Sequence, residues 1–168
     1  MNKFIFSLIQ FFPLSLFATF AFWNGLPTIH RWLDAFVFGA ILGLLQFAIL
    51  ILQKRPLNRL ILAGNLYLIL GGLAVLSKQW WYLEIYDSFR ESGIILFMSI
   101  VGIISTLFSS HGFIAVENSP KKLSVYLFVA TLTMLPISVL FEGNRTYAAV
   151  IPIIFLAIVQ RVLIFKAR

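Results

Sequence analysis

Three carboxylates, Glu84, Asp87 and Glu91, fall at i, i+3 and i+7 and so share one face if the chain around them is helical. Clustered carboxylate oxygens are the ligand type a divalent cation takes. On the opposite arc stand Trp81, Tyr82, Ile85 and Phe89. That pairing of faces instead describes an amphipathic helix with solvated acids, and this reading is preferred. His30 and Asp34 form an i, i+4 pair, short of the three or four protein ligands that zinc takes, and His111 stands in a different loop. The chain has no cysteine, which excludes thiolate metal sites, disulfides and redox thiols. No HExxH, phosphate loop or nucleophile elbow occurs. No metal, cofactor or catalytic residue is therefore assigned, and a non-enzymatic chain is expected.

The remaining polar candidates lie inside apolar runs: Gln46, Asn65, Thr131 and Gln160, with Gln10 and Thr133 beside them. Such side chains either hydrogen-bond between helices or contact a small polar solute. The first use is preferred, because a buried polar group must pair and helix neighbours are nearest. No Asp, Glu, Lys, Arg or His lies at the middle of a run, which argues against a proton relay or an ion-coupled carrier.

The elements that carry these residues follow from composition. The 168 residues are 61% hydrophobic and 11% charged, against roughly 25% charged for a soluble domain. Mean hydropathy is +0.98. Six apolar runs, 4–23, 35–52, 60–76, 93–109, 123–141 and 147–165, approach the roughly 20 residues that a membrane-spanning helix needs. The expectation is all-α: one polytopic transmembrane helical bundle, residues 1–168, with a short amphipathic helix at about 80–90 in the outer interface. Trp80, Trp81, Tyr82 and Tyr86 suit an aromatic belt there. Trp81, Glu84, Asp87 and Glu91 form a candidate outer interaction surface.

Charge orients the bundle. Lys3, Lys54, Arg55, Arg59, Lys121, Lys122, Arg161, Lys166 and Arg168 fall on one side of the pattern, and Arg31, Lys78, Arg90 and Arg145 on the other. Cytoplasmic loops keep the excess of Lys and Arg, so both termini are expected in the cytoplasm. The net charge of +7 reflects that orientation. The basic residues form no aromatic-interleaved groove, so nucleic acid is not an expected partner. The first run exceeds a signal-peptide core and contains Gln10 and Pro13, so it is read as a retained helix.

Turn signals separate the runs at 23–27, 54–56, 117–120 and 142–144, while Pro13, Pro136 and Pro152 should kink the helices that hold them. Small residues mark close packing. Gly39 and Gly43 form a GxxxG, Gly64 and Gly71-Gly72 line the third run, and Gly102 lies on a face with Ser99 and Ser105. Packing within the chain is preferred over a homodimer face.

Gln10-Phe11-Phe12-Pro13-Leu14-Ser15-Leu16-Phe17 and Leu70-Gly71-Gly72-Leu73 followed by Trp80 resemble the bacterial intracellular septation protein A family of small inner-membrane proteins. The outer loop Lys78-Gln79-Trp80-Trp81 and the segment Phe141-Glu142-Gly143-Asn144-Arg145 depart from that family's pattern. The resemblance implies a role in envelope maintenance and division through contacts with other membrane proteins. The expected activity is therefore contact with lipid or protein partners. The alternative is a small-solute transporter with a pocket among Gln46, Asn65 and Thr131 and the outer aromatics Trp23 and Trp80.

Overall fold

Backbone N–H and C=O groups in hydrocarbon have no water to bond, and a helix satisfies them within one segment. Every regular element among the described residues is accordingly helical. The computed structural model describes residues 3–23, 28–52, 58–116 and 121–167. The turn signals at 24–27, 54–56 and 117–120 and the side chain of Gln10 lie outside the described residues. In order come α1 (Lys3–Phe22), α2 (Ile29–Leu52), α3 (Arg59–Leu76), α4 (Trp80–Phe89), a 3-10 turn (Arg90–Ser92), α5 (Gly93–Phe108) and α6 (Lys121–Leu140). A π-helical turn (Thr146–Val150) then leads into α7 (Ile151–Lys166).

Five segments are long and apolar enough to cross a membrane: Ile29–Leu52, Arg59–Leu76, Trp80–Phe108, Lys121–Leu140 and Thr146–Lys166. Their apolar side chains are turned outward on a scale that water would not tolerate. Phe108 and Phe165 are each 82% exposed, with Ile41, Leu44, Leu45, Ile104 and Leu107 also open. An apolar exterior of this kind fits a lipid solvent. The chain is thus a helical protein with the character of a multi-pass membrane protein.

The second helix begins earlier than the run 35–52 suggests. The Arg31 N–H donates to Thr28 Oγ1 at 3.4 Å, an N-cap that lets the polar stretch before Ala35 form the opening turns. Outside the apolar run, this start shows only as a threonine ahead of the helix.

Two compact units make up the structure: Met1–Arg55 with Gly64–Asp87, and Pro56–Ala63 with Ser88–Arg168. The first unit is centred on Phe36, which is fully buried. Its ring meets Phe17 at 4.9 Å, Trp32 edge-on at 4.5 Å, Tyr67 at 5.7 Å and Tyr86 at 5.5 Å between centroids. Tyr86 also stacks on Tyr67 at 4.5 Å and donates its hydroxyl to the Tyr67 carbonyl at 2.9 Å. The belt position expected of Tyr86 is thus corrected: it is a core residue, 3% exposed. Its hydroxyl finds a backbone acceptor inside the unit, which removes the need for the interface.

Glycines set how closely α2 and α3 approach. A Cβ on Gly71 would enter the Phe36 ring, and one on Gly72 would meet Ala40 and come within 2.7 Å of the Phe36 carbonyl oxygen. Gly39 and Gly43 face the same helix with more room, at 3.3 Å from Leu68 and from Ile69. Gly64 is buried on α3. In the second unit, a Cβ on Gly102 would stand 3.0 Å from the Phe113 and Phe128 rings. The small-residue positions of the sequence therefore pack within the chain.

Left-handed residues bracket α4. Lys78 (φ 55°) closes α3, with Gln79 N–H donating to Ala74 O at 2.9 Å and Lys78 N–H to Val75 O at 3.1 Å, a Schellman-type end in which glycine is usual. At the far end Arg90 (φ 40°) breaks the helix. Glu91 consequently does not share a helix face with Glu84 and Asp87, and the expected three-carboxylate stripe is reduced to two. The helical spacing was right for 84 and 87 and failed where the backbone changed hand.

Gly72→Ala should lower thermal stability in detergent by an amount corresponding to about 1–3 kcal/mol, since backbone stands where the methyl would go. Gly39→Ala should be near neutral, because a leucine side chain can yield. Equal melting temperatures for the two variants would contradict this packing.

Candidate functional site

The buried polar side chains resolve into pairs. In the first unit Asn65 of α3 donates its amide to Gln46 Oε1 of α2, and both residues are buried. Each sits about one and a half turns from its helix end, a depth at which an unpaired amide in hydrocarbon is strongly unfavourable. Thr131 of α6, in the second unit, donates to the Leu127 carbonyl of its own helix at 2.9 Å. Gln46 and Asn65 thus meet one another, as an interhelical pairing requires, while Thr131 is satisfied locally.

Gln160 has the most specific partner. Asn58 Nδ2 donates to Gln160 Oε1 at 2.8 Å, and Gln160 Nε2 donates back to Asn58 Oδ1 at 3.0 Å. The same Asn58 oxygen accepts the Leu60 N–H at 3.0 Å and the Ile61 N–H at 3.4 Å. One side chain therefore caps α3 and fastens it to α7. Asn58 did not emerge as a candidate from the sequence. Its signal was present as an asparagine two residues ahead of the apolar run 60–76.

Around this pair one end of the second unit assembles. Arg59 Nη2 donates to Ser109 Oγ at the end of α5 at 3.2 Å. Residues 109–116 then fold inward, with Phe113 and Ile114 almost fully buried. Ser124 of α6 accepts the Phe113 N–H at 3.0 Å, and the Ile114 N–H stands 3.5 Å from the same oxygen. Gly112 is required there. Its φ is +59°, and a Cβ would fall on the Ser124 hydroxyl. His111 Nδ1 stands 3.1 Å from the Ser110 hydroxyl of its neighbour. Lys121, Lys122, Arg161 and Lys166 belong to the same helix ends and are exposed.

The other end of this unit uses carboxylates as acceptors. Ser92 Oγ donates to Glu142 Oε1 at 3.1 Å, and the Gly143 N–H donates to Glu91 Oε2 at 3.3 Å. The turn that follows α6 has Gly143 at φ +87°, with the Asn144 N–H closing on Phe141 O at 3.0 Å. Beyond it, Pro152 has no N–H to offer the Ala148 carbonyl one turn back. Ser138 of α6, fully buried, donates its hydroxyl to that oxygen. The π-helical turn ends in the same place, with the Ile151 N–H bonded to Thr146 O.

On α4 the outer candidates separate by face. Trp81, Ile85, Glu84 and Asp87 are exposed, Tyr82 is half-buried, and Leu83 and Tyr86 are buried. Trp81 Nε1 donates to Gln79 Oε1 at 2.8 Å. Among the described residues no three His, Cys, Asp or Glu side chains come together to hold a metal ion. Comparison of the chain with family models, curated proteins and solved structures finds no match.

Asn58→Ala and Gln160→Ala should each destabilise by about 1–3 kcal/mol, and together by less than their sum, with a coupling of about 0.5–3 kcal/mol. A double-mutant cycle by chemical or thermal unfolding measures it, and strict additivity would deny the pair. Ser138→Ala should cost about 1–3 kcal/mol by leaving a buried carbonyl open. Ser138→Thr, which keeps the hydroxyl, should recover part of that loss.

Proposed function

We propose that this chain is a six-span protein of the bacterial inner membrane with both termini in the cytoplasm. We further propose that it acts without catalysis, through contacts with lipid or with other membrane proteins, in envelope maintenance or division. The observation that carries the reading is how its interior polar groups are used. Gln46 and Asn65 bond to each other, Gln160 to Asn58, and Thr131 and Ser138 to carbonyls. Side chains that a polar solute would need are already bonded, Thr131 within its own helix and the others between helices. The specific surface that remains is peripheral: exposed aromatics and acids on α4 in the first unit, and basic side chains at one end of the second.

Orientation rests on charge. Within the second unit the described basic residues Arg59, Lys121, Lys122, Arg161 and Lys166 gather at one end, while Arg90, Glu91, Glu142 and Arg145 are at the other. Retention of Lys and Arg on the cytoplasmic side makes the first end the inner one. The α1 helix (Lys3–Phe22) supplies the remaining span, and α4 lies in the outer interface with Trp81, Ile85 and Phe89 toward lipid.

A periplasm-active phosphatase fused after Arg168 should be inactive, and the same enzyme inserted between Glu84 and Asp87 should be active. The reverse result would discard the orientation. Crosslinking and co-purification of the full chain from native membranes should return a specific membrane protein, and substitution of Trp81 and Glu84 should weaken that capture several-fold. Saturable thermal stabilisation by a vitamin, nucleoside or amino acid, removed by Asn65→Leu, would replace this reading with solute transport.

A further inference from the structure

Arg59 is the one basic side chain among the described residues of the second unit that is half-buried at the end where α3 begins and α5 ends; its neighbours in charge there, Lys121, Lys122, Arg161 and Lys166, are exposed. Its Nη2 is held by the neutral Ser109 hydroxyl, and its Nε is buried with no hydrogen-bond partner. A guanidinium taken partly out of water calls for an anion, and its planar fork matches carboxylate or phosphate oxygens. The described carboxylates of this unit, Glu91 and Glu142, are engaged at the opposite end. Glu117 lies outside the described residues.

The backbone of α3 does not supply the attraction, because Asn58 already accepts its first-turn N–H groups. What the geometry offers is a fixed cation. Asn58 is locked to Gln160, and Ser109 begins the buried turn that Ser124 anchors. Arg59 is therefore positioned from both sides by neutral groups, with no counter-ion among the described carboxylates of this unit. We propose that Arg59 is the centre of a phosphate-binding site at this end of the second unit, taking the phosphate of an anionic lipid headgroup or a free phosphate group. Exposed Lys and Arg at the same end raise the local concentration of such anions without fixing one.

The full-length chain in phosphatidylcholine nanodiscs, titrated with short-chain phosphatidylglycerol and read by native mass spectrometry, tests the site. Wild type should bind the lipid saturably, with Arg59→Gln about tenfold weaker or more and Arg161→Gln within about twofold of wild type. Arg59→Lys, which keeps the charge and loses the fork, should fall between them and serves if Arg59→Gln does not fold. Competition by sodium phosphate at millimolar concentration would identify the phosphate alone as the ligand; lipid binding that phosphate does not displace would identify the headgroup in its membrane setting. Equal weakening by Arg59→Gln and Arg161→Gln would reduce the effect to general rim charge and overturn the site. So would binding that appears only in Glu117→Gln, since Glu117 would then be the resident counter-ion.

Discussion

A polar group moved from water into hydrocarbon must take its partner with it, and most of what is specific in this structure follows from that constraint. Helices satisfy the backbone, but prolines and side-chain amides leave remainders that a single helix cannot close. Each remainder recruits a neighbour. The Ala148 carbonyl, one turn before Pro152, receives the Ser138 hydroxyl of α6; the amide of Asn65 finds Gln46; the amide of Gln160 finds Asn58. Apolar surface cannot choose among helix partners when the solvent is equally apolar, so these few bonds, with close packing, supply the choice.

Close packing is the second selector, and it depends on where side chains are missing. Gly71 and Gly72 remove material where α3 would otherwise collide with Phe36 and Ala40. The aromatic cluster is built on that opening: Phe36 reaches the α3 surface, Tyr67 and Tyr86 stack against each other, and Tyr86 bonds to a carbonyl of α3. Closing the gap at Gly71 would displace the ring on which four other aromatics rest. The outward-facing leucines and isoleucines contribute no such selectivity, which is why they can be so numerous and so exposed.

The sequence made the helical class, the turn at Gly143 and the small-residue seams legible, because hydropathy length and glycine spacing are local signals. It also marked Gln46, Asn65 and Gln160 as side chains that need partners. It could not name those partners, since Asn58 and Gln160 are separated by 102 positions and nothing local joins them. The burial of Phe113 and Ile114 was hidden for a related reason: the four apolar residues 113–116 between polar segments are too short a run to read as structure. Glu91 was misassigned because helical periodicity assumes one backbone hand, and Arg90 changes it. Tyr86 was misplaced because a tyrosine near a predicted interface satisfies its hydroxyl equally well on a buried carbonyl.

The two ends of the second unit are fastened by different chemistry, and that difference bears on how the protein meets its surroundings. At the basic end the fastening bonds, apart from the one Arg59 makes to Ser109, are neutral: an amide pair, and a serine hydroxyl on backbone N–H groups. Salt and surface potential act on charges and leave such bonds nearly untouched. The exposed Lys121, Lys122, Arg161 and Lys166 there take no part in the bonds that fasten the helices. At the other end the acceptors are carboxylates, Glu91 and Glu142, on exposed or half-exposed turns. Those bonds carry charge on the acceptor, so salt and cations act on them in a way that they do not act on the neutral ones. Mechanical integrity has been separated from charge on one side and combined with it on the other, so the responsive end is the one formed by the 3-10 turn and the turn after α6.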